Sequence, residues 1–328
     1  MGWTGWTGAV LALLLAVPAA GSERELRKPP SQVLTWPLPW RAGEAVEYDF
    51  RREERNWVGG REVEVHRQGV LRIETGTVEP KAIRQRWTLR TEPAEDARVP
   101  TELRSALQAL DRTLAPLPLE IRLSADGYYE TIDNLDALHA RAGTALRAVD
   151  AAEARLRSGG LSGADLQPLL AAIGSREALE LRLSTLPRAY HFVAGGGLGF
   201  DYEYRYEDSM PNLAGGPMLP LVGRMRMQRD ALQPDWVMVE WTVTLDRERG
   251  GPLLRAMIEK LMASALAKLP REEVRGTLDR LERDLDVGTT ARFRIDPATG
   301  LVHWLAWTEQ RRLLEHQQVA SVELTLRR

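Results

Sequence analysis

The sequence predicts an α+β protein built on an antiparallel β-sheet with helices on one face. Three observations predict it. Apolar and charged residues alternate with period 2 in blocks along the chain, the pattern of half-buried antiparallel strands. Helical 3.6-residue periodicity interrupts those blocks without the strict strand–helix alternation of a parallel sheet. Two turn signals, Asp126-Gly127 and Asp296-Pro297-Ala298-Thr299-Gly300, reverse the chain between neighbouring strands.

The first strand sets Val46, Tyr48 and Phe50 on one face and Glu47, Asp49 and Arg51 on the other. Val63, Val65, Leu71 and Ile73 keep one parity, with Gly69 expected to mark a bulge. Ile83, Trp87 and Leu89 alternate with Arg84, Arg86 and Arg90. Leu117, Leu119, Ile121 and Leu123 then lead through Asp126-Gly127 to Tyr128 and Tyr129. Asp133 is placed to cap a helix whose apolar stripe runs through Leu135, Leu138, Ala142, Leu146, Val149 and Leu156. A second helix starts at a Ser162–Asp165 capping box, runs to about Leu183 and is closed by Pro187. Strands resume with Phe200, Tyr202, Tyr204 and Tyr206, then Leu219, Leu221, Met225 and Met227. The clearest strand carries Val237, Val239, Trp241, Val243 and Leu245. A helix from Leu253 to Leu269 is stopped by Pro270 and resumes to about Asp286. After it, Ala291, Phe293 and Ile295 pair with a return strand that sets Leu301, Leu305 and Trp307 on one face and Val302, Trp304 and Ala306 on the other. Val322, Leu324 and Leu326 end the chain.

Organisation follows from the N-terminal third of this pattern. Residues 1–20 are expected to be a signal peptide, 21–42 a proline-rich extended lead-in, and 43–328 one α+β domain. The run Ala9 to Ala20 is uncharged, with Leu11, Leu13, Leu14 and Leu15 at its centre. As a helix it rises about 18 Å, short of the ~30 Å hydrocarbon core of a bilayer, so no transmembrane span is expected in the mature chain. Val17 and Ala19 suit the −3 and −1 positions of a signal peptidase site. Cleavage near Ala19–Ser22 makes the protein exported, periplasmic or secreted. One feature departs from the usual signal: no Lys or Arg precedes the run. In the lead-in, Pro29, Pro30, Pro37 and Pro39 forbid regular structure, and Trp36 and Trp40 are placed to pin it to the body.

Composition excludes several classes of function. The 328 residues are 27% charged and 44% hydrophobic, which is globular and not disordered or collagen-like. With 44 basic and 46 acidic side chains the net charge is −2, without the basic excess of a nucleic-acid binder. There is no cysteine, hence no disulfide, no zinc-thiolate site and no lipidated cysteine.

No motif marks a catalytic residue, a cofactor or a metal site. The histidines His66, His139, His191, His303 and His316 show no metal-ligand spacing. His66 lies on a polar strand face with Glu62 and Glu64, a solvated setting, and His303 shares parity with Leu301, Leu305 and Trp307 as a core histidine. The cluster Gly195-Gly196-Gly197-Leu198-Gly199 lacks the Lys-Ser/Thr of a phosphate loop and leads into a strand, so it reads as a connection. There is no Gly-x-Ser-x-Gly elbow and no marked carboxylate pair.

The aromatic residues are the candidate site. Trp87, Tyr202, Tyr204, Tyr206, Trp241 and Trp307 fall on apolar strand faces. They suit either the wall of a cavity for an apolar ligand or a sheet face packed on helices, each tyrosine hydroxyl meeting a partner at the rim. Met257 and Met262, on the helix from Leu253, suit either a movable lid or ordinary core.

An exported chain of long alternating strands, an Asp126-Gly127 hairpin entering a capped helix, and a Pro187-linked return to strands resembles the periplasmic lipoprotein-carrier half-barrels of LolA/LolB type. The resemblance covers element order over residues 43–328. It implies a strongly curved antiparallel sheet, a half-barrel, with helices packed on its concave face and acyl chains held there. No functional residue of that family maps onto a position here, and this chain carries more helix. The leading reading is non-enzymatic binding of an apolar small molecule or lipid outside the cytoplasm. The alternative is an envelope module with a fully packed core that binds another protein. A hydrolase with a site assembled from scattered acids stands third.

Overall fold

The computed structural model describes residues 33–58, 61–92, 118–143, 175–200, 202–210, 212, 214–261, 272, 275–276, 278–279, 286–313 and 316–327. The expected signal peptide, Leu117, the helical runs around Leu146–Leu156 and Ser162–Asp165, and Met262 lie outside the described residues. Thirteen strands are described: β1 (Leu34–Thr35), β2 (Ala45–Val58), β3 (Arg61–Val78), β4 (Ala82–Thr91), β5 (Leu119–Ser124), β6 (Tyr129–Ile132), β7 (Gly196–Leu198), β8 (Glu203–Met210), β9 (Leu219–Arg229), β10 (Val237–Leu245), β11 (Asp286–Asp296), β12 (Leu301–Leu313) and β13 (His316–Leu326). The described helices are α1 (residues 135–143), α2 (Arg176–His191) and α3 (Arg247–Leu261), with further helical backbone at 272, 275–276 and 278–279.

Eleven strands form one curved antiparallel sheet in the order β6-β5-β4-β3-β2-β13-β12-β11-β10-β9-β8, which does not close into a barrel. Each half is a run of neighbours in sequence, β2 to β6 on one side and β8 to β13 on the other. The seam between them is β2 against β13, from Tyr48↔Leu326 to Trp57↔Gln317. The alternation predicted from sequence is seen directly. In β10 the residues Val237, Val239, Trp241 and Val243 are buried while their neighbours are partly exposed.

The register shows how the inner, core-facing side is laid out. Met227, Val239, Phe293, Leu305, Leu324 and Phe50 occupy one cross-strand row, all buried. Towards the Leu313↔His316 end of β12 and β13 the same parity becomes polar. There Glu309 and Arg311 on β12, Gln318 on β13 and Glu54 on β2 continue the inward face. Arg311 donates to Glu309 and to Gln318 Oε1, and Gln318 Nε2 donates to Glu54 at 2.6 Å. Buried charges are tolerated when paired and hydrogen-bonded, as here.

Several local expectations are corrected. Gly69 is no bulge: its register to β2 and β4 is continuous, and a Cβ there would collide with the Arg90 carbonyl. Close backbone approach explains the glycine. The β3 irregularity falls between Thr75 and Thr77 instead. A second one sets His303 as an extra residue of β12 between Val302↔Ile295 and Trp304↔Arg294. This extra residue switches the parity of β12, so Val302, not Leu301, takes the buried face. Pro187 does not end its helix but lies inside α2, whose first turn is capped by Ser175. The Asp133 carboxylate pairs with Arg84 at 2.8 Å and with Arg122 at 3.5 Å. α3 begins six residues before Leu253, where Asp246 Oδ1 accepts the backbone N–H groups of Glu248 and Arg249.

The lead-in is not wholly irregular. Leu34 and Thr35 pair with β7, and buried Trp36 donates its indole N–H to the Val193 carbonyl at 3.1 Å. The Pro37 carbonyl fills the place of a Cβ at Gly300, and the Trp40 ring does so at Gly127. Both glycines are at positive φ in turns, so the lead-in is seated against the two hairpin turns that the sequence announces.

Candidate functional site

Five of the six aromatic residues, Trp87, Tyr204, Tyr206, Trp241 and Trp307, share a sheet face but fall into two groups. Tyr204, Met225, Trp241, Ala291 and Trp307 occupy one cross-strand row, with small Ala291 between the two indoles. Tyr206 sits one row along, its ring over its partner Gly223, where no Cβ fits. Tyr202 precedes β8, half-buried and edge-on to Tyr204 with ring centres 4.6 Å apart. Trp87 stands apart on β4, with β3, β2 and β13 between it and β12.

The end of α2 links the groups. Residues one apart on a helix point about 100° from each other, so Tyr190, His191 and, at the cap, Phe192 reach different parts of the sheet. Phe192 lies 4.6 Å from Trp241 and 6.0 Å from Tyr206, measured between ring centres. Trp241 donates its N–H to the Tyr206 hydroxyl at 2.5 Å. Tyr190 meets Tyr48 and Trp87 edge-on, at 5.7 and 5.4 Å. The Tyr48 hydroxyl is 2.8 Å from the Val302 carbonyl and 2.7 Å from the Tyr190 hydroxyl. A carbonyl only accepts, so Tyr48 donates to Val302 and Tyr190 donates to Tyr48. Burial pushes the Tyr48 pKa well up and that of Tyr190 up to about 12, so both stay neutral.

His191 is fully buried, and its tautomer follows from its neighbours. The Trp87 indole N–H, which can only donate, points at Gln85 at 2.9 Å, so the atom it meets is the carboxamide oxygen. His191 Nε2 lies 3.0 Å from that same oxygen and must therefore carry the ring proton. Nδ1 is left as a lone-pair acceptor without a partner, as the Gln85 Nε2 donor is left without an acceptor. Burial lowers the His191 pKa to about 3, keeping the ring neutral. Trp40 packs edge-on against it at 4.7 Å, its own indole N–H likewise buried and unpartnered.

Two other polar groupings are structural. Asp230 accepts from Leu232 and Gln233 backbone N–H groups and from Arg294 at 2.6 and 3.0 Å, tying down the β9–β10 turn. Burial works to raise the Asp230 pKa, but these donors outweigh it and the net direction is down. His303 stacks on Trp236 beside it, ring centres 4.1 Å apart. On the outer face, the register sets Glu53 opposite His66, and with Glu64 their ligand atoms lie within 4.8 Å. Arg55 pairs with both glutamates there, at 3.5 and 2.9 Å, so the cluster is a surface ion-pair network.

Sequence reasoning missed Tyr190, His191 and Gln85. Gln85 left a signal, a polar residue in the apolar parity of Ile83, Trp87 and Leu89. His191 left none, because its helical segment was expected to end before it.

No protein-family model matches the chain, and no curated protein matches it. Among solved structures it aligns with lipovitellin, in a study of lipid–protein interactions in that protein, at 9% identity and a TM-score of 0.41. That alignment covers 88% of this chain and 25% of the other, so the chain spans a quarter of that structure's length. With DynF from the dynemicin biosynthesis pathway of Micromonospora chersina the identity is 8% and the TM-score 0.21, over 93% and 92% of the two chains. At these scores neither likeness bears on what this chain binds.

Proposed function

We propose that this protein is an exported carrier that holds an apolar ligand or lipid between the inner face of its curved sheet and a helical cover on the concave side. The observation that carries the reading is the continuity of that face. The row from Met227 through Val239, Phe293, Leu305 and Leu324 to Phe50 crosses six strands without a polar side chain. An open sheet has an end strand at each side, β6 and β8, so it can spread to admit a guest where a closed barrel cannot. Met257 of α3, buried in the same core, has the adaptable side chain that a lid over such a guest needs. Half-barrel lipoprotein carriers are the family this reading follows, and export is the step that places the protein in their compartment.

Organic extraction of the purified protein followed by mass spectrometry tests the carrier. A stoichiometric lipid or binding of fluorescent fatty-acid probes supports it, and the lack of both ends it. Export is tested separately by N-terminal sequencing of the mature protein, where an intact Met1 would refute cleavage. One observation favours the alternative, an interaction module with a packed core. Trp241 and Tyr206 satisfy each other, with Phe192 laid against both rings, as in a permanently closed interior.

A further inference from the structure

We propose that Trp40, Gln85 and His191 form the receiving site for the uncharged carboxyl head of a long-chain fatty acid. The inference rests on the carrier reading and names its ligand class. Three polar atoms there are buried without a hydrogen-bond partner: Trp40 Nε1, Gln85 Nε2 and His191 Nδ1. They belong to one neighbourhood, since the His191 ring lies 4.7 Å from that of Trp40 and its Nε2 is 3.0 Å from Gln85. Buried polar groups left in this state are rare in folded proteins and call for an explanation at each site.

The chemistry of the three atoms selects the guest. Trp40 and Gln85 offer N–H donors, and His191 Nδ1 offers a lone pair because the proton resides on Nε2. Two donors and one acceptor complement a protonated carboxyl group. Its carbonyl oxygen accepts from the N–H groups and its O–H donates to Nδ1. A phosphate would bring charge into a place where these three side chains offer none to balance it. The charged groups at the opposite end of the inner face are bonded to one another, Arg311 to Glu309 and Gln318, and Gln318 to Glu54. The head therefore belongs at the His191 end. Gln85 lies in the row Thr75–Gln85–Ile121, next to Val46–Ile73–Trp87–Leu119 and then Tyr48–Leu71–Leu89. An acyl chain leaving the site runs onto apolar rows.

Titration of the purified protein with palmitic acid and with methyl palmitate tests the site, because the ester keeps the chain and lacks the O–H. The acid is expected to bind about tenfold more tightly or better, since a site built to hydrogen-bond a group rejects the analogue without it. Trp40→Phe and Gln85→Leu are expected to shrink that preference to about threefold or less, and a preference unchanged in both variants overturns the assignment to these residues. Equal binding of acid and ester by the unaltered protein overturns the head-group site and leaves the carrier standing. Binding of neither overturns both. The acid–ester comparison needs no variant, so a substitution that fails to fold does not decide the outcome.

Discussion

At the scale of single residues, the direction of each buried hydrogen bond decides what its loss costs. Tyr48 donates to the Val302 carbonyl and accepts from Tyr190. Tyr190→Phe removes one donor and leaves Tyr48 still bonded, at a cost of about 1 kcal/mol. Tyr48→Phe strands both the Tyr190 hydroxyl and the carbonyl, and is expected to cost about 2–3 kcal/mol. Urea denaturation of the two variants checks the ranking. His191 makes a prediction in pH. Its pKa falls from 6.5 to about 3 on folding because burial disfavours the charged ring. Between those values the unfolded chain binds a proton that the folded one refuses. Stability is thus full above pH 6.5 and declines as pH falls, by about 1.4 kcal/mol per pH unit from this group. His191→Phe should flatten the dependence between pH 7 and pH 5 by one proton's slope, and parallel curves for the two proteins would refute a neutral buried ring.

At the scale of elements, space and cap chemistry outweigh residue type. Gly223 and Gly276 are the same residue in opposite settings. A Cβ on Gly223 would enter the Tyr206 ring across the β8–β9 pair, whereas one on Gly276 meets nothing within 4 Å. Gly223→Ala is expected to destabilise by about 1–3 kcal/mol through overpacking. Gly276→Ala should stabilise by about 0.5–1 kcal/mol, by helix propensity and a less flexible unfolded chain. Thermal melts of the two variants should shift in opposite directions. The elements themselves were legible because period 2 and period 3.6 are local geometry. Their ends were less so. Pro187 reads as a stop, yet it sits in α2, and His303 reads as inward until a register shift in β12 switches the parity. Both depend on what the neighbouring strand or helix supplies.

At the scale of the whole molecule, the fold depends on one seam. Each half of the sheet is built from strands adjacent in sequence, but β2 and β13 bring the two ends of the described chain together. Contacts so distant in sequence require an ordered chain before they form, and they slow folding. Val322 lies in the middle of β13, paired with Trp307 on one side and Arg52 on the other. Val322→Pro removes a ladder donor from a central strand. It is expected to abolish cooperative unfolding by circular dichroism, whereas the same substitution at Thr131 of edge strand β6 should cost much less.

The sequence by itself determined that this chain is built on an antiparallel sheet, which residues share a strand face, and where the hairpins turn at Gly127 and Gly300. It also showed six aromatics on apolar faces. Only the tertiary structure decided that Trp87 stands apart from Trp241 and Trp307, and that the inner face becomes charged at Glu309 and Arg311. It likewise decided that Gln85 meets His191. The reason is physical. Alternation records which side chains point the same way, but strand order and the partner of a buried polar group are set by residues far away in the chain.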